Sequence, residues 1–159
     1  MCASQSDYSN SSEFDCSIDQ RLCELMSPSQ DARPEQMNTS SLAYIGDVVF
    51  ELFVRSRYVW PNRRMSDLQN KVVSVVRAEA QAVLFQNIKL TPDEQSVVAR
   101  GRNANLTVRK KNKGDATAYQ DSTAFEALLG YTYIRDKNRF NEIINWVKSE
   151  LDGDDSNST

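Results

Sequence analysis

From Leu42 to Phe53 the chain reads LAYIGDVVFELF, apolar at nearly every position and interrupted by one glycine, Gly46, and one aspartate, Asp47. Set out at about 100° per residue, Leu42, Ile45, Val48, Val49, Leu52 and Phe53 share one face. Asp47 falls on the other side, among Ala43, Phe50 and Val54. Both faces are apolar, so the helix is expected at the centre of its fold rather than on its surface. It runs from about Leu42 to Trp60 and is stopped by Pro61. Ser66 to Gln69, SDLQ, has the form of a capping box and opens a second helix reaching about Asn87. Thr91 to Glu94, TPDE, is a fuller helix start, with a capping threonine, proline at the first helical position and acids in the first turn. That helix ends near Gly101. STAFEALLGYTYI, Ser122 to Ile134, gives a short apolar helix. Phe140, Ile143, Ile144, Val147 and Leu151 then recur at helical spacing on an amphipathic closing helix. Strand-like alternation persists nowhere, and the predicted class is all-α.

The two ends are different in kind. Residues 1–17 are polar, serine-rich and acidic, a composition that reads as disorder, and a short helix is expected at Ile18–Met26. SPSQDARPEQMNTSS, from Ser27 to Ser41, reads as linker. The expected organisation is an extension over 1–38, a helical domain over 39–151 and an acidic disordered tail over 152–159. Serine-rich transit peptides are arginine-rich and poor in acids, which this N-terminus is not. No apolar run in the 159 residues approaches a membrane span. Location in the chloroplast stroma is expected for a eukaryotic source, and in the cytoplasm otherwise.

Composition narrows the chemistry. The chain has no histidine, which excludes catalytic triads, His–Cys zinc sites and histidine acid–base catalysis within it. Cys2, Cys16 and Cys23 all lie in the first 23 residues, an odd number without metal-ligand spacing, and read as free thiols. Hydrolysis would have to rest on carboxylates and a hard, oxygen-liking cation. The net charge of −3 hides an asymmetry: residues 1–40 hold seven acids and two bases, and 151–159 three acids and no base. Residues 41–150 therefore carry a net charge of +5. A basic body between acidic ends permits a nucleic-acid partner.

Two helices repeat one design. Asp47 follows Gly46 on the first; on the second, Glu126 is the lone acid and Gly130 lies one turn on. The glycines would let two helix backbones approach, and the carboxylates would converge. Two such charges in a partly dry site repel unless a cation sits between them. Mg²⁺ suits the pair, because it takes one or two carboxylates, keeps waters and completes its shell with phosphate oxygens. Plainer readings stay open: TAFE fits a capping box that would make Glu126 a cap, and Asp47 could be a buried acid paired with an arginine. Glu51 reads as a structural or supporting acid.

Between the third helix and STAFEALLGY, a loop of about 18 residues, RNANLTVRKKNKGDATAY, is expected. Arg100, Arg102, Arg109, Lys110, Lys111 and Lys113 cluster there without an acid among them, and Asn103 adds hydrogen-bonding capacity. A mobile basic arm along a phosphate backbone is one reading, and a solvated charged loop or localisation signal the other. The scarcity of aromatic residues in the loop favours a duplex over single-strand stacking.

LAYIGDVVFEL, VVRAEAQA, RGRNAN and STAFEALLGY occur in the order and approximate spacing of the Mini-ribonuclease III branch of the ribonuclease III family. The chain resembles that branch over about residues 40–150. The branch has the catalytic domain without the double-stranded-RNA-binding domain. Asp47 matches the signature aspartate and Glu126 the final glutamate. Ala43 and Thr123 stand where ribonuclease III proper carries two further acids, a departure that the Mini branch shares. Asp67, in SDLQ, is a further acid that could correspond. The resemblance implies a homodimer of all-α, ribonuclease III-like helical domains. It further implies an Mg²⁺-dependent endoribonuclease (Mn²⁺ able to substitute) that matures large-subunit ribosomal RNA precursor. Products would carry 5′-phosphate and 3′-hydroxyl ends. Asp47 and Glu126 would hold the metal and be catalytic; Arg100, Arg102, Asn103, Arg109, Lys110, Lys111 and Lys113 would contact RNA. VVRAEAQA and RSRYVWP look more like the plastid and cyanobacterial versions. The alternative is a catalytically silent, RNA-binding or scaffold module of the same fold, which would need neither Asp47 nor Glu126. A small helical adaptor is a third reading.

Overall fold

Asn38 starts the first helix, its side-chain oxygen accepting from Ser40 N at 2.9 Å, a cap that supplies one of the acceptors a helix N-terminus lacks. The computed structural model describes residues 25–104 and 113–156 (the side chains of 113–115 and 154–156 excepted). The chain divides into two units, Met1–Ala32 and Arg33–Thr159. Of the first, the described part is a turn in which Ala32 N donates to Ser29 O; the helix expected at Ile18–Met26 lies outside the described residues up to Glu24.

In the second unit a short 3₁₀ turn, Pro34–Gln36, precedes α1 (Thr39–Tyr58), α2 (Met65–Val76), α3 (Ala78–Gln86), α4 (Pro92–Asn103), α5 (Lys113–Arg135) and α6 (Lys137–Ser156). No strand occurs among the described residues, as the hydrophobic pattern requires. The start at Thr91 is as expected: Thr91 Oγ1 accepts from Glu94 N, and Glu94 Oε2 accepts from Thr91 N at 2.9 Å. Asp136 caps α6 by accepting from the backbone of Asn138 and Arg139.

Other expectations are corrected. The box at Ser66 is not formed: α2 begins at Met65 and its cap position, Arg64, offers no side-chain bond. The expected second helix is two helices, because Arg77 is extended at ψ 151°. The α5 backbone begins at Lys113, so Gly114 to Tyr119 are helix, not loop. Helix α6 continues past Leu151 to Ser156, into the segment expected to be a disordered tail.

Helix α5 is the axis of the fold. From Asp121 to Tyr133 every residue is buried except the half-buried Glu126, and α1, α3, α4 and α6 all pack on it. The Phe125 ring meets Phe50 of α1 edge-on at 5.2 Å and Phe85 of α3 at 6.4 Å. Helix α1, expected to be central, buries one face only. Leu42, Ala43, Gly46, Phe50 and Val54 point inward, whereas Tyr44, Val48 and Leu52, a stripe at i, i+4 and i+8, are more than half exposed. A helix apolar all round needs neighbours all round, and among the described residues the stripe is left more than half exposed.

At the far end of α5, Glu94 is buried (3% exposed) and gripped by Arg139, whose Nε and Nη2 donate to its two oxygens at 2.7 and 3.0 Å. Burial alone would raise the Glu94 pKa; the Arg139 guanidinium and the Thr91 groups outweigh it and hold the carboxyl below its ordinary 4.5. A depressed folded-state value gives stability that is fully present above the unfolded value and lost as pH falls through the folded one. Glu94→Gln should thus cost on the order of 2 kcal/mol at pH 7. The deficit against wild type should shrink below pH 4.5, which urea titrations at pH 7 and pH 3 would read. A deficit independent of pH would mean that packing, not charge, is what Glu94 supplies.

Candidate active site

Helices α1 and α5 touch backbone to backbone at two glycines. A Cβ built on Gly46 would overlap the Glu126 carbonyl oxygen and lie 2.7 Å from its carbon and 2.8 Å from Gly130 N. One built on Gly130 would overlap the Leu42 carbonyl oxygen and lie 2.9 Å from Ile45 Cγ2. No other side chain fits at either position, which is the close approach that the two glycines imply. The contact sets Asp47, one residue after Gly46, beside Glu126.

The charges register that proximity. Burial pushes the Glu126 carboxyl up from an ordinary 4.5 to about 7, the Asp47 charge adds to the rise, and the Gln81 side chain opposes it. Asp47 is raised as well, first by partial desolvation against the helix wall, then by Glu51, with Arg55 pulling the other way. The Asp47 side chain reaches solvent at the rim of the buried face. It is therefore not the deeply buried acid that its apolar neighbours suggest, and among the described residues no salt bridge reaches it. Glu51 is held by Arg55 at 2.5 Å one turn further along α1. The capping reading of Glu126 is excluded by position: it sits mid-helix in α5, and Thr123 Oγ1 donates to Tyr119 O at 3.0 Å. Ala43 is buried. Asp67 lies exposed in the first turn of α2, with Ser66 Oγ as its neighbour.

Gln81 completes the site, and the sequence reading passed over it although it lies within VVRAEAQA. It is 2% exposed on α3, and its Nε2 donates to Val76 O at 2.8 Å, closing the end of α2 where Arg77 breaks the helix. An amide that lowers the Glu126 pKa must present N–H to the carboxylate rather than oxygen. Gln81 Oε1 is left buried without a hydrogen-bond partner among the described residues. The signal available in the sequence was a long amide at a position whose inward neighbours are Ala82, Leu84 and Phe85.

The basic groups fall into two sets. Arg100, Arg102 and Asn103 end α4, which packs on α5 where Gly101 would place a Cβ 2.9 Å from Ala124 Cα, two residues before Glu126. Arg100 reaches the Met37 carbonyl. Arg102 is bonded to Asp121 at 2.7 Å and stacks over Phe85. Arg109, Lys110 and Lys111 lie outside the described residues; Lys113 opens α5, its side chain outside them too. A concavity of about 330 Å³ lined by Thr91, Glu94, Tyr131, Arg135 and Arg139 contains neither Asp47 nor Glu126. Of the two carboxylates, Asp47 is exposed and Glu126 half-buried.

No set of three or more His, Cys, Asp or Glu side chains able to hold a metal occurs among the described residues. Two carboxylates set side by side by one helix contact fit a hydrated hard cation. They do not fit an ion that demands a full protein cage.

Residues 40–137 match the family described as Ribonuclease III domain. The Mini-ribonuclease 3 of a Synechocystis species is 38% identical over 121 residues, spanning 75% of this chain and 83% of the relative. That of Gloeobacter violaceus is 43% identical over 110 residues, spanning 68% and 80%. That of Enterococcus faecalis is 36% identical over 118 residues, spanning 70% and 89%. A crystal structure of a Fusobacterium nucleatum protein superposes with a TM-score of 0.63 at 24% identity, covering 73% of this chain and 95% of that one. The last likeness concerns the fold alone.

Proposed function

The chain belongs to the ribonuclease III family of endoribonucleases, and from that premise we propose that it cuts double-stranded RNA at Asp47 and Glu126 with Mg²⁺ as cofactor. The reading rests on one observation: the Gly46–Gly130 contact sets an aspartate and a glutamate together, so that the Asp47 charge adds to the rise of the Glu126 pKa. The retention of both acids is what a silent scaffold would not need.

Asp47 and Glu126 would hold the cation, and Gln81 would keep the Glu126 carboxylate turned toward it. When bound, Mg²⁺ supplies Lewis-acid stabilisation of charge building on the phosphate and lowers the pKa of water at the site. The α4 end, with Arg100 and Asn103, would meet the phosphate backbone beside Glu126. Lys110, Lys111, Lys113 and Arg109 would extend that track as salt-sensitive contacts. Arg102, committed to Asp121 and Phe85, would hold the track in place. Products with 5′-phosphate and 3′-hydroxyl ends follow from cleavage on the 3′-oxygen side of the phosphorus. Large-subunit ribosomal RNA precursor is the proposed substrate. Mn²⁺ is proposed to substitute for Mg²⁺, since both accept oxygen ligands in octahedral sites.

We further propose a homodimer, supported by the uncovered stripe of Tyr44, Val48 and Leu52 on the helix that carries Asp47. One site per subunit would cut one strand each. No helix among the described residues is long and apolar enough to cross a membrane. A plastid stroma, in a eukaryotic source, or a bacterial cytoplasm is the proposed location.

The test is cleavage of an end-labelled RNA duplex and of its separated strands, each with Mg²⁺ and with excess chelator. Cutting of the duplex alone, dependent on Mg²⁺ and yielding 5′-phosphate ends, is expected. Duplex binding without cutting under all metal conditions would favour the silent module.

A further inference from the structure

Position 81 is a poor place for an amide if stability were the only concern. Gln81 is almost fully buried, and its Oε1 has no partner among the described residues. A methionine of similar length would fill the same space and strand the Val76 carbonyl instead of Oε1. The orientation of the amide is set by the Val76 carbonyl 2.8 Å away: an oxygen cannot face an oxygen, so the NH₂ side must lie there. That group has two hydrogens. One closes the broken end of α2; the other is directed to Glu126. One turn along α3, Phe85 packs on Phe125, the residue before Glu126, so this face of α3 lies against that part of α5.

We propose that Gln81 is a positioning residue of the carboxylate pair: its amide ties Glu126, a ligand of the divalent cation in the proposed reading, to the end of α2. The inference rests on the metal-site reading of those two acids and names a residue that supports it. Residues that orient metal ligands in this way contribute roughly 10- to 100-fold to metal affinity or activity.

The experiment measures Mn²⁺ binding to the RNA-free protein by electron paramagnetic resonance, with thermal melting in parallel. Wild type, Gln81→Met and Asp47→Asn are compared. Gln81→Met is expected to melt near the wild-type temperature, a stranded Val76 carbonyl taking the place of the stranded Oε1. It should bind Mn²⁺ roughly ten- to a hundredfold more weakly and lose kcat on duplex RNA with KM nearly unchanged. Wild-type Mn²⁺ affinity in Gln81→Met, beside weakened binding in Asp47→Asn, overturns the role of Gln81 and leaves the carboxylate site standing. Equal binding in all three overturns the carboxylate site itself. Should Gln81→Met not fold, wild-type protein labelled with ¹⁵N decides the matter. The Gln81 side-chain NH₂ signals should be protected from exchange and shift on adding Mg²⁺; unmoved signals overturn the proposal.

Discussion

Glu126→Gln should abolish duplex cleavage and, in metal-free buffer at neutral pH, make the chain more stable rather than less. The first half follows from the role of a cation ligand. Metal stabilisation of several kcal/mol is at stake, and each ~1.4 kcal/mol is a factor of ten in rate, so a loss of roughly a thousandfold or more is expected. The second half follows from the sign of the shift. The folded-state value of Glu126, about 7, lies above its ordinary 4.5. Between those values the folded chain holds a proton that the unfolded chain has released, so stability falls as pH rises through the window and levels off above it. Glutamine cannot ionise and is spared the loss. The variant should gain on wild type from pH 4.5 to 7 and keep that gain at pH 8. Mg²⁺ should then narrow the gap, because only wild type binds it well and is stabilised by mass action. Urea midpoints at pH 5 and pH 8, with and without Mg²⁺, read all of this. A Glu126→Gln protein that is less stable than wild type at pH 8, or that still cuts at a comparable rate, would make Glu126 a structural acid. Asp47→Asn should match it in activity.

The second large effect is expected at Gly46. Alanine there gains about 1 kcal/mol of helix propensity, yet its Cβ would meet the Glu126 carbonyl and Gly130 N, which are backbone and cannot turn aside. The helices would have to separate. The cost should exceed the ~1–3 kcal/mol common for overpacked cores, and the distance between Asp47 and Glu126 would grow, so cleavage should fall with stability. Gly153, whose added Cβ meets nothing within 4 Å, is the control; Gly153→Ala should be neutral or stabilising by up to about 1 kcal/mol. Denaturant midpoints for the two variants check the contrast. Similar midpoints would mean that α1 and α5 are packed less tightly than the structure has them.

Much of the site was legible because its constraints are local and chemical. A glycine within one turn of an acid on an apolar helix, found twice, pointed to a close approach of those two helices. The start at Thr91 was legible because cap, proline and acids all agree. What escaped the sequence was decided by neighbours. Helix α1 is apolar on both sides, so periodicity could not tell whether Phe50 or Val48 faced inward; the aromatic contact with Phe125 decides it. The break at Arg77 carries no proline or glycine. It is tolerated because Gln81, four residues on, satisfies the Val76 carbonyl. The start of α5 was hidden by a run of lysines and a glycine with no capping signature.

The Gly46–Gly130 contact also shapes what change this chain can tolerate over time. Most crowded positions can be rescued, since trimming the opposing side chain makes room for the newcomer. Here each glycine opposes main chain, Glu126 and Gly130 on one side and Leu42 on the other, and main chain has nothing to trim. No second mutation elsewhere can restore the fit short of moving a whole helix. The crossing is thus a dead end for neutral drift, fixed even if the acids beside it were lost and cleavage abandoned. Its two glycines would mark the ancestry of such a chain after its chemistry had gone.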